Sequence, residues 1–358
     1  MDIRAVIMAG GIGTRFWPLS RRQKPKQFLP IISEKTMIEE TVERLLPLIP
    51  SKDIFTIANR ERSKALAQLI PSIPESNLLV EPEGRNTAPS LMLATAAVYL
   101  QNPEAVIAAL PADHLIVDTS RFLQKLAAGG AAAASEEVLM TFGIPPTYPA
   151  TGYGYIHFKA DAPQSHSGED FFPVVRFKEK PQYELACDFI KQGTFFWNSG
   201  IFLWRASVFA DKLKTCSPQF FVHWTALLNA FKSGDAGRLG EVFRQIPAMS
   251  IDYALMEKAS GVWMGRGDFG WSDVGSWSAL ADIWDRNEQN NTFRGKVLAL
   301  DSTDCLAYSP RRLTALVGVK DLLVIDTEDA LLICHSTADQ KVKDVVDVLK
   351  KEGQDDLL

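Results

Sequence analysis

Cysteine is scarce in this sequence, with four in 358 residues, at Cys187, Cys216, Cys305 and Cys334. None sits in a CxxC pair, which argues against a structural zinc site, and so few thiols do not make a disulfide scaffold. Histidine numbers only five. No GxSxG elbow or Ser-His-Asp signature accompanies it, which disfavours a hydrolase of that type. Long apolar runs are also lacking. The opening MDIRAVIMAGG is too short to span a bilayer and is interrupted by glycine, and it has no basic segment followed by a long apolar core. A soluble, cytoplasmic protein without a membrane partner is the expectation. Charge of one sign never accumulates: 38 Lys and Arg stand against 43 Asp and Glu, a net of −5. A non-specific nucleic-acid binder is therefore disfavoured, and an anionic substrate must be held by a local cluster. No sustained period suggests collagen or coiled coil. With 46% hydrophobic residues, the chain has enough apolar surface for a core, which excludes disorder as its main state.

What is present alternates. Apolar runs at 3–8, 54–58, 78–80 and 105–110 read as buried strands, and helical spacing appears at 36–48, 61–69 and 88–100, the last with Asn86 or Thr87 as cap. This order predicts an α/β fold with a mixed, mostly parallel sheet and helices on both faces. Segments 152–158, 174–177 and 200–204 read as further strands, 206–214 and 218–231 as helices, and Ser250 as the cap of a helix over 251–259. After about residue 290, short Leu- and Val-rich runs alternate with turn residues as in a short β-helix-like appendage, and 339–351 reads as an amphipathic closing helix. The predicted division is residues 1–290 as a catalytic domain and 291–358 as a β-rich C-terminal appendage with its terminal helix.

Three polar motifs directly follow apolar runs in the first third: GGIGTR, EPEGRN and PADH. Open α/β sheets bind ligands at the carboxyl ends of their strands. In AGGIGTRFWPLSRRQKPKQFLP, Gly10, Gly11 and Gly13 let backbone amides approach an anion, while Arg15, Arg21, Arg22, Lys24 and Lys26 bring positive charge. A polyphosphate suits that combination. A dinucleotide-binding loop would need a third glycine where Phe16 stands, although Glu34 lies near the spacing of a ribose-binding acid, and the GxxxxGK[ST] of a P-loop is absent. A tight turn with a basic, solvated face is the plain alternative.

The string GGIGTRFWPLSRRQKPKQFLP resembles the signature of sugar-1-phosphate nucleotidyltransferases, and its WPLS and PKQF parts resemble the mannose-1-phosphate guanylyltransferase branch. EPEGRNTAP, PADH, TGYGYI, FKEKP, FWNSGIF, SIDYALMEK and GWSDVGSW follow in the order that family shows, across roughly residues 3–280. Ile12, Phe16, His157 and Lys178 depart from the usual pattern. The resemblance implies a GT-A-like, Rossmann-like fold. It also implies transfer of GMP from GTP to mannose 1-phosphate, giving GDP-mannose and pyrophosphate. The nucleophile is already an anion, so positioning and charge neutralisation carry the chemistry.

By the same resemblance, Arg15, Lys26, Asp113 and Asp273 are the catalytic set. Asp113 and Asp273 are the ligands of Mg2+ or another hard divalent cation. Gly10, Gly11, Gly13, Thr14, Arg15, Lys26, Glu81 and Asn86 hold the nucleotide, and Gly152, Glu179, Lys180 and Asn198 hold the sugar phosphate. For each Asp, a helix cap or a turn is the plain alternative; for Arg21 and Arg22 it is a solvated face; for Arg85, a cap or a pair with Glu83. A nucleotidyltransferase for another hexose 1-phosphate, or a non-catalytic sugar-nucleotide-binding homologue, are the competing functions. A homo-oligomer, as a dimer, is implied. The tail beyond the motifs is too short for an added cupin-type isomerase domain, so a monofunctional transferase is the expectation.

Overall fold

The computed structural model describes residues 1–358. Its backbone contacts define two compact units that interleave in sequence. The first comprises Met1–Gly10, Thr41–Ala112 and Ile116–Trp271; the second comprises Gly11–Glu40, Asp113–Leu115 and Ser272–Leu358.

The first unit holds a 10-stranded sheet. Its opening strands are β1 (Ile3–Met8), β2 (Ile54–Asn59), β3 (Leu78–Glu81) and β4 (Val106–Pro111). After the two-residue strand β5 (Leu115–Ile116) come β6 (Leu139–Ile144), β7 (Tyr155–Phe158), β8 (Gln164–His166), β9 (Glu169–Lys178), β10 (Phe195–Arg205) and β11 (Val262–Arg266). The order is β3-β2-β1-β4-β10-β6-β11-β9-β7, with β8 on β9. The parallel pairings of β1, β2, β3 and β4, and of β6 with β11, leave only β9 and β10 running against the rest. The sheet is thus mixed and mostly of one direction, as the alternation of apolar strands and helices predicts.

The helices are α1 (Met37–Leu45), α2 (Arg60–Leu69), α3 (Thr87–Gln101), α4 (Thr119–Ser135), α5 (Tyr183–Gln192), α6 (Ala206–Cys216), α7 (Pro218–Ser233) and α8 (Ala236–Gln245). Asn86 does cap α3, its side-chain oxygen accepting the Thr87 N–H at 2.8 Å. Helices α3, α6 and α7 bury Leu91, Phe209 and Trp224 in one apolar cluster with Val6, Ile107 and Trp204 of the sheet. Successive strand residues point to opposite faces. Helix α4 meets Phe142 and Leu203, the neighbour of Trp204, and therefore covers the other face. Its pattern is faint in the sequence because much of its buried side is Ala and Gly.

One element differs from expectation. Residues 251–259 do not form an ordinary helix; a single π-type turn occupies Asp252–Met256 and is closed by Glu257 N–H donating to Asp252 O at 2.9 Å. Ser250 still acts at its start, accepting the Tyr253 N–H at 3.4 Å.

The second unit contains the short strand β12 (Trp271–Ser272) in part, the turn α9 (Trp277–Leu280) and a four-stranded sheet of β13 (Thr292–Leu300), β14 (Leu306–Val317), β15 (Leu322–Asp326) and β16 (Leu331–His335). The first three of these strands pair in parallel, as in a coil of stacked strands, and β16 returns antiparallel. Helix α10 (Val342–Lys351) closes the unit. Its Val342 and Leu349 share an apolar cluster with Phe16, Trp17, Trp277 and Leu323. The N-terminal motif segment and the C-terminal strands therefore build one core.

Candidate active site

In the second unit, a cavity of about 250 Å3 is lined by Gly13, Thr14, Arg15, Phe16, Lys26, Asp113, His114, Asp273 and Gly275. All four predicted catalytic residues are among them. The loop that shapes it is over-determined. Gly13 has φ +73°, and a Cβ there would lie 2.4 Å from the Cβ of Lys26, so only glycine fits. A 3-10 turn over Thr14–Phe16 follows. Lys26 N–H donates to Ile12 O at 3.1 Å and Gln27 Nε2 to Gly11 O at 3.0 Å. Phe16 packs on Trp277 with ring centroids 5.1 Å apart, and the Lys26 ammonium lies 5.6 Å above the Phe16 ring. A phenylalanine at this departure from the usual pattern thus serves as a floor for the lysine.

The Lys26 side chain is buried, and its ammonium is fully engaged. Nζ donates to Asp113 O at 2.9 Å and Asp273 O at 2.6 Å, and pairs with Asp113 Oδ2 at 3.0 Å. Three donors thus meet three protein acceptors. Two aspartates far apart in sequence are drawn to one cation. Burial opposes ionisation of Asp113, but the charges of Lys26 and His114 outweigh it and hold this carboxyl below the usual carboxylate range. Arg15, by contrast, is exposed and makes no hydrogen bond or ion pair with the protein. It is the cavity's uncommitted cation. Arg21 and Arg22 are committed elsewhere in this unit: Arg21 bonds Leu357 O and pairs with Asp329 at 2.8 Å, and Arg22 pairs with Asp355 at 2.9 Å.

The donor set bears on a metal. No group of three or more His, Cys, Asp or Glu side chains converges anywhere in the chain, so the protein offers no cage of its own. Two carboxylates at a phosphate-sized cavity match what magnesium takes, which is one or two protein carboxylates completed by phosphate oxygens and water.

The remaining predicted residues lie in the first unit, except Gly11, which belongs with the loop above. Glu81 is buried; its carboxylate accepts from Ser90 Oγ at 2.6 Å. A Cβ on Gly10 would be 3.2 Å from Glu81 Oε1. Burial raises the Glu81 pKa against the opposing effects of Ser90 and Arg62. The buried Arg62 donates to Gly10 O. Asn86 spends its carbonyl oxygen on the α3 cap. Arg85 pairs with Glu83 and donates to Ile246 O at 2.8 Å.

The sugar-phosphate candidates do come together. Lys180 N–H donates to Tyr153 O at 3.2 Å, Asn198 N–H to Gly154 O at 2.8 Å, and Lys180 Nζ lies 3.4 Å from Glu179 Oε1. Lys180 has φ +43°, a conformation that costs a non-glycine residue about 1–3 kcal/mol. The close approach in TGYGYI falls at Gly154, where a Cβ would lie 2.3 Å from Glu179 Oε2, whereas a Cβ on Gly152 would meet nothing within 4 Å. Sequence reasoning gives Gly154 no role. It also gives no role to Asp252, which accepts from Asn198 Nδ2 at 2.7 Å. The only signal was its place in SIDYALMEK. His157 lies apart from this chemistry, stacked on Phe195 at 4.3 Å.

Comparison with known proteins gives a consistent set. The family described as "Nucleotidyl transferase" matches residues 4–290, and that described as "MannoseP isomerase/GMP-like beta-helix domain" matches 295–349. The chain is 39% identical over 355 residues to a putative mannose-1-phosphate guanylyltransferase of Vibrio cholerae serotype O1, covering 98% of this chain and 75% of that protein. It is 39% identical over 358 residues to a mannose-1-phosphate guanylyltransferase of Salmonella muenchen, covering 98% and 74%. A crystal structure described as a mannose-1-phosphate geranyltransferase from Thermus thermophilus superposes with a TM-score of 0.88 at 34% identity, covering 98% of this chain and all of that one.

Proposed function

The chain belongs to the nucleotidyl transferase family, on its mannose-1-phosphate guanylyltransferase branch, and from that premise we propose that it transfers GMP from GTP to mannose 1-phosphate, releasing pyrophosphate. A phosphate oxygen of the sugar forms a bond to the α-phosphorus as the bond to the β-bridging oxygen breaks. GDP-mannose and pyrophosphate account for every atom. No proton has to be removed from the nucleophile, so the residues' work is to hold anions and offset developing charge.

The observation that carries this reading is the cavity in which Arg15, without a protein partner, stands beside two aspartates organised by Lys26. Arg15 and the amides of the Gly13–Phe16 turn are suited to the triphosphate, with a guanidinium able to fork across two oxygens. Lys26 acts first as the organiser of Asp113 and Asp273. Those two carboxylates would hold a magnesium ion, whose chemical contribution when bound is to neutralise phosphate charge. In the first unit, Lys180 is assigned to the sugar phosphate, Glu179 and Asn198 to sugar hydroxyls, and Gly152 to a backbone approach. Asn86, through its amide NH2, and Glu81 beneath Gly10 are assigned to the guanine or ribose.

The test is pyrophosphate release across a panel of GTP, ATP and dTTP against mannose, glucose and galactose 1-phosphates with magnesium. GTP with mannose 1-phosphate is expected to give the highest kcat/KM. Equal or better turnover with another pair moves the assignment to that pair, and no turnover with any pair favours a non-catalytic homologue.

A further inference from the structure

Asn198 on β10 and Asp252 on the π-type turn form an ordered pair. The amide orientation of Asn198 follows from its partners. Gly200 N–H, which can only donate, lies 3.2 Å from Oδ1, and Asp252 Oδ1, an acceptor, lies 2.7 Å from Nδ2. The Thr141 hydroxyl is also 3.2 Å from Asn198 Oδ1. Oδ1 thus accepts from Gly200, while the single Thr141 proton is shared with Ile201 O at 3.0 Å, and Nδ2 keeps one N–H without a protein acceptor. Beyond this bond the Asp252 carboxylate meets only its own backbone N–H. Both residues are half-buried.

We infer that Asp252 is a specificity-determining residue of the sugar subsite: its remaining carboxylate oxygen accepts a hydrogen bond from one hydroxyl of the hexose, while the spare Nδ2–H of Asn198 donates to the adjacent hydroxyl. A vicinal diol needs this pattern of one acceptor and one donor side by side, and the protein fixes both in advance. The inference deepens the proposed function and rests on it, because Asn198 enters as a sugar contact. The surroundings agree. Glu179, packed against Gly154, is close enough to disfavour charge on Asp252, and burial with this repulsion pushes the Asp252 carboxyl up to about 6. Lys180 pairs with Glu179, not with Asp252. The carboxylate is thus ionised at neutral pH without a cation of its own, the kind of group a hydroxyl donor relieves.

The experiment measures kcat/KM at saturating GTP for mannose 1-phosphate and its 2-, 3-, 4- and 6-deoxy analogues, in the wild type, Asp252→Asn and Asn198→Ala. The wild type is expected to discriminate against two adjacent deoxy positions by roughly 10- to 100-fold, the worth of a hydrogen bond to a charged group or its neighbour. Asp252→Asn flattens the penalty at one of them and lowers kcat/KM for mannose 1-phosphate by a similar factor, with the KM for GTP unchanged. Asn198→Ala flattens the penalty at the neighbouring position. An Asp252→Asn enzyme that is slower but keeps the wild-type deoxy profile overturns the inference, since a role confined to folding or to orienting Asn198 predicts that result. Penalties flattened at non-adjacent positions overturn it as well. A wild type that makes no GDP-mannose overturns the proposed function itself, which separates the two failures. Should Asp252→Asn fold poorly, the Asn198→Ala profile still decides whether this pair reads the sugar.

Discussion

At the scale of single residues, the cavity assigns different work to two cations of one motif. Lys26 is buried with every ammonium proton spoken for, whereas Arg15 is exposed and unpaired. Lys26→Met strands two main-chain carbonyls and the Asp113 carboxylate. Breaking a buried pair costs about 3–5 kcal/mol, and partial solvent access to Asp113 reduces that to roughly 2–4 kcal/mol. The expected result is a clear fall in Tm together with loss of turnover. Arg15→Ala is expected to change stability by less than about 0.5 kcal/mol, as surface substitutions do, while kcat/KM for GTP falls about 10- to 100-fold, the worth of charged hydrogen bonds. Calorimetry beside steady-state kinetics checks both. An Arg15→Ala that loses stability and a Lys26→Met that loses only activity would reverse the two roles. The motif shows that both cations exist. It does not show which one the fold consumes, because that depends on carbonyls contributed by residues 113 and 273.

At the scale of elements, two glycines separate folding from binding. Gly13 holds φ +73° with no room for a methyl group, and Gly152 has open space around its Cβ position. Gly13→Ala is expected to cost about 2 kcal/mol or more through backbone strain and collision with Lys26. Gly152→Ala should leave Tm nearly unchanged and raise the KM for mannose 1-phosphate; an unchanged KM would remove Gly152 from the sugar subsite. The π-type turn at Asp252–Met256 belongs to this scale too. An ordinary helix from Ser250 is what local propensity supports, and tertiary packing of Ala254, Leu255 and Met256 in the apolar cluster accompanies a different winding. Such turns are frequent at functional sites; this one brings Asp252 to Asn198.

At the scale of the whole molecule, the shifted carboxylates divide by sign. Asp113, Glu169, Asp268 and Asp326 are among the depressed: burial opposes ionisation of the first three but nearby Lys, Arg or His charges prevail, and for Asp326 the hydrogen bond from Arg312 leads. Each adds stability above about pH 4 that is lost as pH falls through its folded pKa. Glu81, Asp252 and Glu257 are raised, in each case chiefly by burial. Their contribution is fully present below the unfolded pKa, near pH 4, and is lost as pH rises through the folded value, about 6 for Asp252. His157 and His223, both lowered by burial, act in the opposite sense and lose stability as pH falls below about 6.5, so the carboxylate effect is read from variants, while Tm is expected to fall steeply below pH 4. Asp252→Asn should flatten part of the upper slope, so that its Tm relative to wild type is more favourable at pH 8 than at pH 5. An Asp252→Asn slope equal to wild type would contradict this assignment of charge.

Period and motif order alone pointed to the strands at 3–8, 54–58 and 105–110, the helices that alternate with them, a cap at Asn86 or Thr87, the parallel character of the sheet and the family. Those features are written locally, in apolar runs and short-range hydrogen bonds. Small-residue packing hid α4, because a stripe of Ala and Gly carries little contrast. Only the tertiary structure decided that residues 11–40 share a core with residues 272–358, that Lys26 is saturated while Arg15 is not, that the tight approach lies at Gly154, and that Asp252 meets Asn198. Each of these depends on which distant acceptor or side chain fills a given space, and the sequence names the partners without stating which of them meet.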